Sequence, residues 1–335
     1  MSNVAVGCFS RNNSRMFKEF FIPKVIEKTP RGTTCFNIDD HSDMSEVSAG
    51  QAACVEHSTL PKANRIIFAS NTTRGLQCSI SKAIDLCNAS KWLIVFQTDC
   101  YCFDDYLTEY INELNSGAYD QFGMVGINCA AEDIGGTHPD QVYDAIKRGD
   151  EPHLALARTP LATNPAVFWL RPQDIPMSEL GYPTDVPFSV EIPCWMVTAV
   201  NIPLFQQYIN TTNKFHMIYA WDDIAMQFLS NNVHNVAIPW IYAAHRPFAK
   251  TKYGLATHSS VEAWKMAQQG IEAGEKIIGN ADHKKAWSSL WQGWSYEDKD
   301  SFQQYLNYCL LYSGPPKLML AHRHHNLMHG PVKVF

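Results

Sequence analysis

Carboxylates follow apolar runs at two places where the chain is predicted to leave a β-strand. Trp92 to Phe96 is an uninterrupted apolar run rich in β-forming residues, and Asp99 comes three residues after it. An earlier run, Thr33 to Ile38, stops directly at Asp39 and Asp40. Because ligands bind outside the carboxyl ends of strands in open α/β sheets, we expect these acids to hold a cation or a polar ligand. The competing interpretation is a solvated turn or a helix cap after each strand.

The elements that must position these acids alternate between strand and helix. We predict strands at Val4–Phe9, Thr33–Ile38, Arg65–Ala69 and Trp92–Phe96, with helices over Met16–Ile26, Ser45–Val55 and Ile80–Cys87. This order is typical of a right-handed, doubly wound half-sheet. The sequence therefore predicts a Rossmann-like α/β domain that binds a nucleotide.

The rest of the chain has a different pattern. The segment Ser116–Val190 is rich in proline and glycine and predicts loops and short helices. Beyond Thr257, apolar residues recur at helical spacing over Val261–Ile278, Lys284–Trp294 and Asp298–Leu311. We therefore predict a carboxyl-terminal helical appendage, which either supports a binding site or forms a homodimer contact.

The usual phosphate-binding loops are absent from the sequence. No G-x-G-x-x-G follows the first strand, and no G-x-x-x-x-G-K-[ST] occurs anywhere in the chain. A nicotinamide dinucleotide or a P-loop nucleotide is therefore not the natural ligand. A nucleoside diphosphate held through Mg²⁺ or Mn²⁺ remains, and Asp99 is a candidate ligand for that cation.

Composition narrows the class of protein. The chain has 335 residues, of which 46% are hydrophobic and 18% charged, so it is globular rather than disordered. Its net charge of -6 argues against bulk electrostatic binding to nucleic acid or to an acidic membrane. The ten cysteines lie mostly inside apolar runs, as buried free thiols do in a reducing compartment, and Cys100 and Cys102 are too close for a zinc knuckle. We expect a cytoplasmic protein without a transmembrane segment, in the host cytoplasm if the chain is viral.

Three segments of the first half together resemble the donor half of the GT-A glycosyltransferases of the family-2 type. They are IDDHSD at Ile38–Asp43, NTTRGLQCSISKAI at Asn71–Ile84 and LIVFQTD at Leu93–Asp99. Later segments are similar to the acceptor side of that family: Glu191–Phe205, Tyr219–Leu229 and Ile238–His245. The likeness spans residues 3 to 250 and depends on the order and spacing of the segments.

The resemblance implies a GT-A fold, with a doubly wound, Rossmann-like mixed sheet. Residues 1–115 would form the nucleotide-sugar (donor) half, residues 116–256 the acceptor-binding and catalytic half, and residues 257–335 the helical region and tail. The implied activity is a hexosyl or pentosyl transfer, inverting, from a nucleoside-diphosphate sugar, a UDP-sugar first of all. A divalent cation, Mn²⁺ or Mg²⁺, is the implied cofactor.

The same resemblance assigns the donor site. Asp39 or Asp40 would contact the base or ribose, and Gly75 would let the backbone approach the nucleotide. Asp99 and His245 would bind the cation that bridges the two phosphates. The basic residues after His245 would close over the diphosphate: Arg246, Lys250 and Lys252. The competing interpretations are a plain turn glycine, a structural histidine and a solvated basic loop.

Two positions depart from the family pattern. Gln97, a neutral and weaker ligand, stands where the family usually has the first acid of Asp-x-Asp, so metal binding would be looser or partly replaced by the basic residues. Ser81 stands where the family has an asparagine in the helix after Gly75.

For catalysis, the resemblance aligns Asp223 with the general base and Asp222 with its hydrogen-bonding neighbour. Both acids begin a predicted helix, where the dipole favours their ionised form, and the alternative is a capping pair. Trp195 and Trp221 are core candidates first and stacking platforms for an acceptor sugar second.

Three functions remain open from the sequence. The first is a glycosyltransferase that acts on a carbohydrate or a glycolipid. The second keeps the fold but glycosylates a modified base in DNA, as phage-type DNA glycosyltransferases do, and needs a local basic face. The third is a non-catalytic sugar-nucleotide-binding protein, which Gln97 favours.

Overall fold

The computed structural model contains one mixed β-sheet with helices packed on it. The structure describes residues 3–73, 75–131, 143–145, 147–149, 169–170, 185–190, 193, 196–211, 221, 224–225, 227–228 and 231–245. The predicted helical appendage and tail, residues 257–335, lie outside the described residues. Among the residues that the structure describes, no helix is long and apolar enough to cross a bilayer.

The described strands are β1 (Val4–Ser10), β2 (Thr34–Asp39), β3 (Ile66–Ser70), β4 (Trp92–Gln97), β5 (Cys100–Cys102), β6 (Met124–Ala131), β7 (Trp169–Leu170), β8 (Phe188–Val190), β9 (Val197–Asn201) and β10 (Asn235–His245). The described helices are α1 (Ser14–Met16), which continues as a π-helix over Phe17–Ile26, α2 (Met44–Ser58), α3 (Leu76–Leu86), α4 (Tyr106–Asn115) and α5 (Ile202–Tyr208).

The sheet has the strand order β3-β2-β1-β4-β9-β6-β10-β5, with β7 beside β6 and β8 beside β10. Strands β3, β2, β1 and β4 run parallel, and β9 is antiparallel to both β4 and β6. The order reverses between β1 and β4, which is where ligands bind in doubly wound sheets. The crevice therefore lies beside the carboxyl ends of β1 and β4.

The four strands predicted in the first half are confirmed, each within one residue at either end. The apolar side chains of β1, β2 and β4 are buried apart from the partly buried Phe9, as expected for parallel strands covered on both faces. In the edge strand β3 only Ile66 is buried, and the other apolar side chains are partly buried. The predicted helix over Ser45–Val55 is α2, and the one over Ile80–Cys87 is α3, which begins four residues earlier at Leu76. The α/β prediction is therefore correct for this half.

The predicted helix over Met16–Ile26 is a π-helix from Phe17 onward. Pro23 lies inside it and has no backbone N–H to donate to the preceding turn. At its end, the Glu27 N–H donates to the carbonyl of Ile22, five residues earlier, which is the π-helical spacing. Proline and this wider spacing together account for the difference from a regular α-helix.

The π-helix packs against the strands that carry the acids. Phe17 and Phe21 stack with centroids 5.8 Å apart, and Phe21 meets Phe96 of β4 edge-on at 6.0 Å. Phe20 meets Tyr101 of β5 edge-on at 5.9 Å. These ring contacts fix β4 and β5 from one face of the sheet.

The prediction of loops and short helices over Ser116–Val190 is wrong for β6, which pairs with both β9 and β10. Its sequence, MVGINCAA, contains glycine and asparagine, which are depleted in strands. Pairing on both sides and burial stabilise the strand despite these residues. Two further short strands, β7 and β8, also lie in this segment.

Gly7 marks a close approach of β1 and β2. A Cβ at this position would lie 2.1 Å from the carbonyl oxygen of Phe36 and 2.6 Å from its ring. Only glycine leaves room for the buried Phe36 ring beside β1.

The described cysteines are free thiols and, except for the partly exposed Cys78, are buried, as predicted. Burial raises the pKa of Cys35, Cys54 and Cys87 to about 12.

Strand β10 contains an irregularity before His245. Ile238 pairs with Ile127 of β6, but the next pair joins Tyr242 to Asn128, so the residues between Ile238 and Tyr242 have no partner in β6. The Asn128 side-chain amide donates to the carbonyl of Pro239, within the unpaired segment. Bulges of this kind re-aim the side chains that follow them.

Candidate active site

Asp39 joins the ends of β2 and β3. Its side chain is 3% exposed, and Oδ2 accepts hydrogen bonds from Ser70 Oγ at 2.8 Å and from the Ser42 N–H at 3.1 Å. Ser70 is the last residue of β3, so one carboxylate oxygen fixes two strand ends and the turn that follows β2. Asp39 lies where the sequence predicts it, at the carboxyl edge of the sheet.

Asp40 holds the beginning of α3. Its Oδ1 accepts from the Gly75 N–H at 2.8 Å and from Ser79 Oγ at 3.1 Å, and the residue is 8% exposed. Asn71, directly after β3, donates from Nδ2 to Ser79 Oγ at 2.8 Å. The structure therefore brings Asp40 and Gly75 together, as expected for two parts of one site.

Gly75 adopts φ 147° and ψ 134°, a conformation that side-chain-bearing residues rarely reach. This geometry turns its N–H toward Asp40 just before the first turn of α3. The glycine is therefore required by backbone conformation, and it is more than a residue that tolerates a turn.

Sequence reasoning missed Ser79 and Asn71. It considered Ser81 in α3, whereas Ser79 contacts Asp40, and the buried Ser81 Oγ has no hydrogen-bond partner within the described part of the chain. Asn71 carried a usable signal, because it follows a predicted strand just as Asp39 does.

A pocket beside this network is lined by Asn71, Cys78, Ser81, Lys82, Asp85 and Thr211. Burial, followed by the charge of Asp40, raises the pKa of the Cys78 thiol.

Asp99 and His245 meet at the other side of the crevice. His245 Nε2 lies 3.3 Å from Asp99 Oδ2, and the two residues are 5% and 1% exposed. They come from distant parts of the sequence, since Asp99 follows β4 and His245 ends β10. Cys100 lies opposite His245 in the antiparallel pairing of β5 with β10.

These three residues each offer one ligand atom, and the three atoms lie within 4.8 Å of one another. A carboxylate oxygen and an imidazole nitrogen are suitable ligands for Mn²⁺, whereas Mg²⁺ favours oxygen alone. A cation between them would also offset the cost of burying the carboxylate. The residues present therefore fit a divalent metal ion.

Gln97 ends β4 on the same edge of the sheet. Its backbone N–H donates to the Met196 carbonyl at 3.0 Å, while its buried Nε2 has no hydrogen-bond partner among the residues that the structure describes. Thr98 Oγ1 accepts from Asn13 Nδ2 at 2.6 Å, which ties the loop after β1 to the turn before Asp99. Gln97 therefore presents an amide donor, where the family pattern has a carboxylate.

Several predicted site residues lie outside the described residues: Asp222, Asp223, Trp195, Arg246, Lys250 and Lys252. The described neighbours of the two acids, at positions 221, 224–225 and 227–228, are helical. Trp221 is 1% exposed and belongs to the core, so its burial favours the core role over stacking on an acceptor.

No protein-family model matches the sequence, and no curated protein matches it either. The structure is similar to GalNAc-T7 solved with UDP, GalNAc and Mn²⁺, with a TM-score of 0.56 and 12% identity over 97% of this chain and 57% of that one. It is also similar to the mannosyltransferase PcManGT from Pyrobaculum calidifontis in complex with GDP-Man and Mn²⁺, with a TM-score of 0.50 and 14% identity over 95% of this chain and 78% of that one.

The chain thus spans 57% of the length of GalNAc-T7. At such low identity the likeness concerns the arrangement of helices and strands. The chain therefore has the GT-A fold, as its resemblance to those glycosyltransferases predicted.

Proposed function

We propose that the chain is a glycosyltransferase that moves a sugar from a nucleoside-diphosphate donor to an acceptor hydroxyl. The observation that carries the proposal is the buried pair Asp99 and His245, 3.3 Å apart beside the crevice of a GT-A sheet. The two similar proteins were solved with Mn²⁺ and with UDP or GDP-Man, which supports a donor of that kind.

Asp99 and His245 would hold a divalent cation, which neutralises charge on the donor diphosphate and so makes the nucleotide a better leaving group. Gln97 would donate its buried amide to a phosphate or sugar oxygen of the donor, because a buried donor without a partner costs about 1–3 kcal/mol. The basic residues Arg246 and Lys250, together with Lys252, would close over the diphosphate.

The Asp40 network would receive the nucleoside. The hydrogen bonds from Gly75 and Ser79 use Oδ1 of Asp40, and the pocket lined by Asn71 and Cys78 opens beside them. Its Oδ2 can then accept from a base N–H or a ribose hydroxyl. Asp39 supports this edge by fixing the ends of β2 and β3.

For the transfer itself we propose Asp223 as general base and Asp222 as its neighbour, from the resemblance and from the helical residues around them. Asp223 takes the proton of the acceptor hydroxyl as that oxygen attacks the anomeric carbon. The bond to the diphosphate oxygen breaks, and the nucleoside diphosphate leaves with the electron pair. Attack opposite the leaving group inverts the anomeric configuration.

In this proposal residues 1–115 bind the donor, residues 116–256 bind the acceptor and carry the base, and residues 257–335 support the acceptor site or a homodimer contact. The acceptor is a carbohydrate or a glycolipid, with Trp195 as the stacking candidate. The net charge of -6 does not favour a DNA acceptor.

The test measures nucleoside diphosphate released from a panel of UDP- and GDP-sugars with Mn²⁺, together with nucleotide binding by calorimetry. We expect Asp223→Asn to lower release about 10²–10⁴-fold while nucleotide binding stays, because only the proton transfer is affected. Asp99→Asn should lose Mn²⁺-dependent nucleotide binding as well. Asp144→Asn, an exposed acid outside the proposed site, is the matched control.

The outcomes separate the candidate functions. Nucleotide binding without release in the parent would show a sugar-nucleotide-binding protein. Retention on duplex DNA at moderate salt would favour the nucleic-acid acceptor. Neither binding nor release with any donor would refute the proposal.

A further inference from the structure

Cys100 lies inside the proposed cation site. It is fully buried and is the direct cross-strand partner of His245, so their side chains emerge on the same face of the sheet. Asp99 is its neighbour in the chain. Sulfur from β5, imidazole nitrogen from the paired strand β10 and carboxylate oxygen from the turn directly before β5 therefore converge.

The spacing suits a tetrahedral ion. Zn²⁺ binds oxygen and nitrogen at about 2.0–2.2 Å, so two such ligands at the tetrahedral angle lie roughly 3.3 Å apart. The observed distance from His245 Nε2 to Asp99 Oδ2 is 3.3 Å. With sulfur at about 2.3 Å, a sulfur-to-nitrogen spacing of roughly 3.6 Å is needed, and all three ligand atoms already lie within 4.8 Å of one another.

We propose that Cys100 is the third protein ligand of this cation site, and that the site therefore binds Zn²⁺ more tightly than Mn²⁺. The inference rests on the cation site of the proposed function and names its ion. The sulfur–metal bond forms as the thiol proton passes to water, because a coordinating thiol is deprotonated. Three protein ligands leave one position open, as in catalytic zinc sites, for a phosphate oxygen of the donor.

Two features of this chain favour the thiophilic ion. Thiolate and imidazole favour zinc and cobalt, whereas carboxylates and water suit manganese and magnesium. Gln97 removes one oxygen ligand that a hard cation would use, and Cys100 adds sulfur beside the remaining acid. Cys100 and Cys102 are too close in sequence to form a zinc knuckle together. That spacing does not limit the present site, because its other ligands are Asp99 and His245.

The experiment titrates metal-free protein with Co²⁺ in the absence of oxygen and records the thiolate-to-cobalt charge-transfer absorption. We expect the band in the parent and its displacement by Zn²⁺ at lower concentration than by Mn²⁺. Cys100→Ser should lose the band and weaken Zn²⁺ binding at least tenfold, and His245→Gln should weaken it similarly. Cys102→Ser is the matched control, because Cys102 is buried on the same strand and outside the ligand cluster.

X-ray absorption of the zinc-loaded parent gives the second measurement and needs no substitution, so a poorly folding Cys100→Ser leaves the inference testable. It should show one sulfur at about 2.3 Å. The absence of sulfur, a band that persists in folded Cys100→Ser, or tighter binding of Mn²⁺ would overturn the inference. Zinc binding through Cys100 without nucleotide binding or release would refute the proposed function alone, and Mn²⁺-dependent turnover without a thiolate ligand would refute this inference alone.

Discussion

Replacing Asp40 by alanine should destabilise the protein, and the hydrogen bonds of Asp40 give the size of the loss in the free energy of unfolding. The substitution removes a carboxylate, 8% exposed, that accepts from the Gly75 N–H at 2.8 Å and from Ser79 Oγ at 3.1 Å. Hydrogen bonds to charged groups contribute about 1.5–3 kcal/mol each, so the two set an upper bound of about 6 kcal/mol. Water solvates the carboxylate better in the unfolded chain than in the folded one, and this offsets part of that gain. We therefore expect the free energy of unfolding to fall by about 3 kcal/mol.

Urea unfolding followed by far-ultraviolet circular dichroism measures this loss. Asp40→Asn keeps an oxygen acceptor of the same shape, so it should lose only about 1 kcal/mol, and Ser79→Ala, which removes the longer bond alone, should lose a similar amount. Calorimetry with UDP and GDP then shows whether the folded Asp40→Asn protein binds nucleotide more weakly. A free energy of unfolding for Asp40→Ala within about 1 kcal/mol of the parent value would refute the reasoning.

Three further predictions concern stability and reactivity. Gly7→Ala should lower the free energy of unfolding in urea by about 3 kcal/mol or more, because the added Cβ would clash with Phe36. Gly32 has open space around it but φ 80°, so Gly32→Ala should lower it by about 1–2 kcal/mol through backbone strain alone. Equal losses in the two variants would contradict the proposed clash. Burial lowers the pKa of His234 below its ordinary value of 6.5, so the unfolded chain binds this proton more readily. The free energy of unfolding should therefore fall as the pH drops through about 6.5. Urea midpoints measured between about pH 7.5 and about pH 5.5 should depend less on pH in His234→Gln than in the parent. An unchanged pH dependence in this variant would count against the role of His234. Alkylation followed by peptide mass spectrometry should label Cys78 before the other described cysteines, and earlier labelling of a buried one would show that the native state opens.

The first half of the sheet is predictable from the sequence because local and global signals agree there. The runs that become β1 and β4 are apolar throughout and end at polar residues, as strands buried on both faces do. Asp39, Asp40 and Asp99 then lie at one sheet edge because parallel strands bring their carboxyl ends together.

The parts that could not be predicted depend on contacts between distant segments. Strand β6 contains residues that disfavour strands, and burial together with pairing to β9, β10 and β7 stabilises it. Ser79 contacts Asp40 because Gly75, in a conformation that other residues rarely adopt, sets where α3 begins. The place of Cys100 beside His245 depends on the antiparallel register of β5 and β10, which no local pattern encodes.

The bulge in β10 also sets the phase of the strand. Pro239, Trp240 and Ile241 have no partner in β6, and they shift the pairing that follows, so that Tyr242 lies opposite Asn128 and His245 opposite Ala131. Cross-strand partners share a face of the sheet, so this register sets the face on which His245 lies. A deletion in this segment that slips the later pairing by one residue would turn His245 toward the opposite face, away from Asp99. The length of this short segment therefore determines whether His245 lies beside Asp99, even though none of its residues is a proposed ligand.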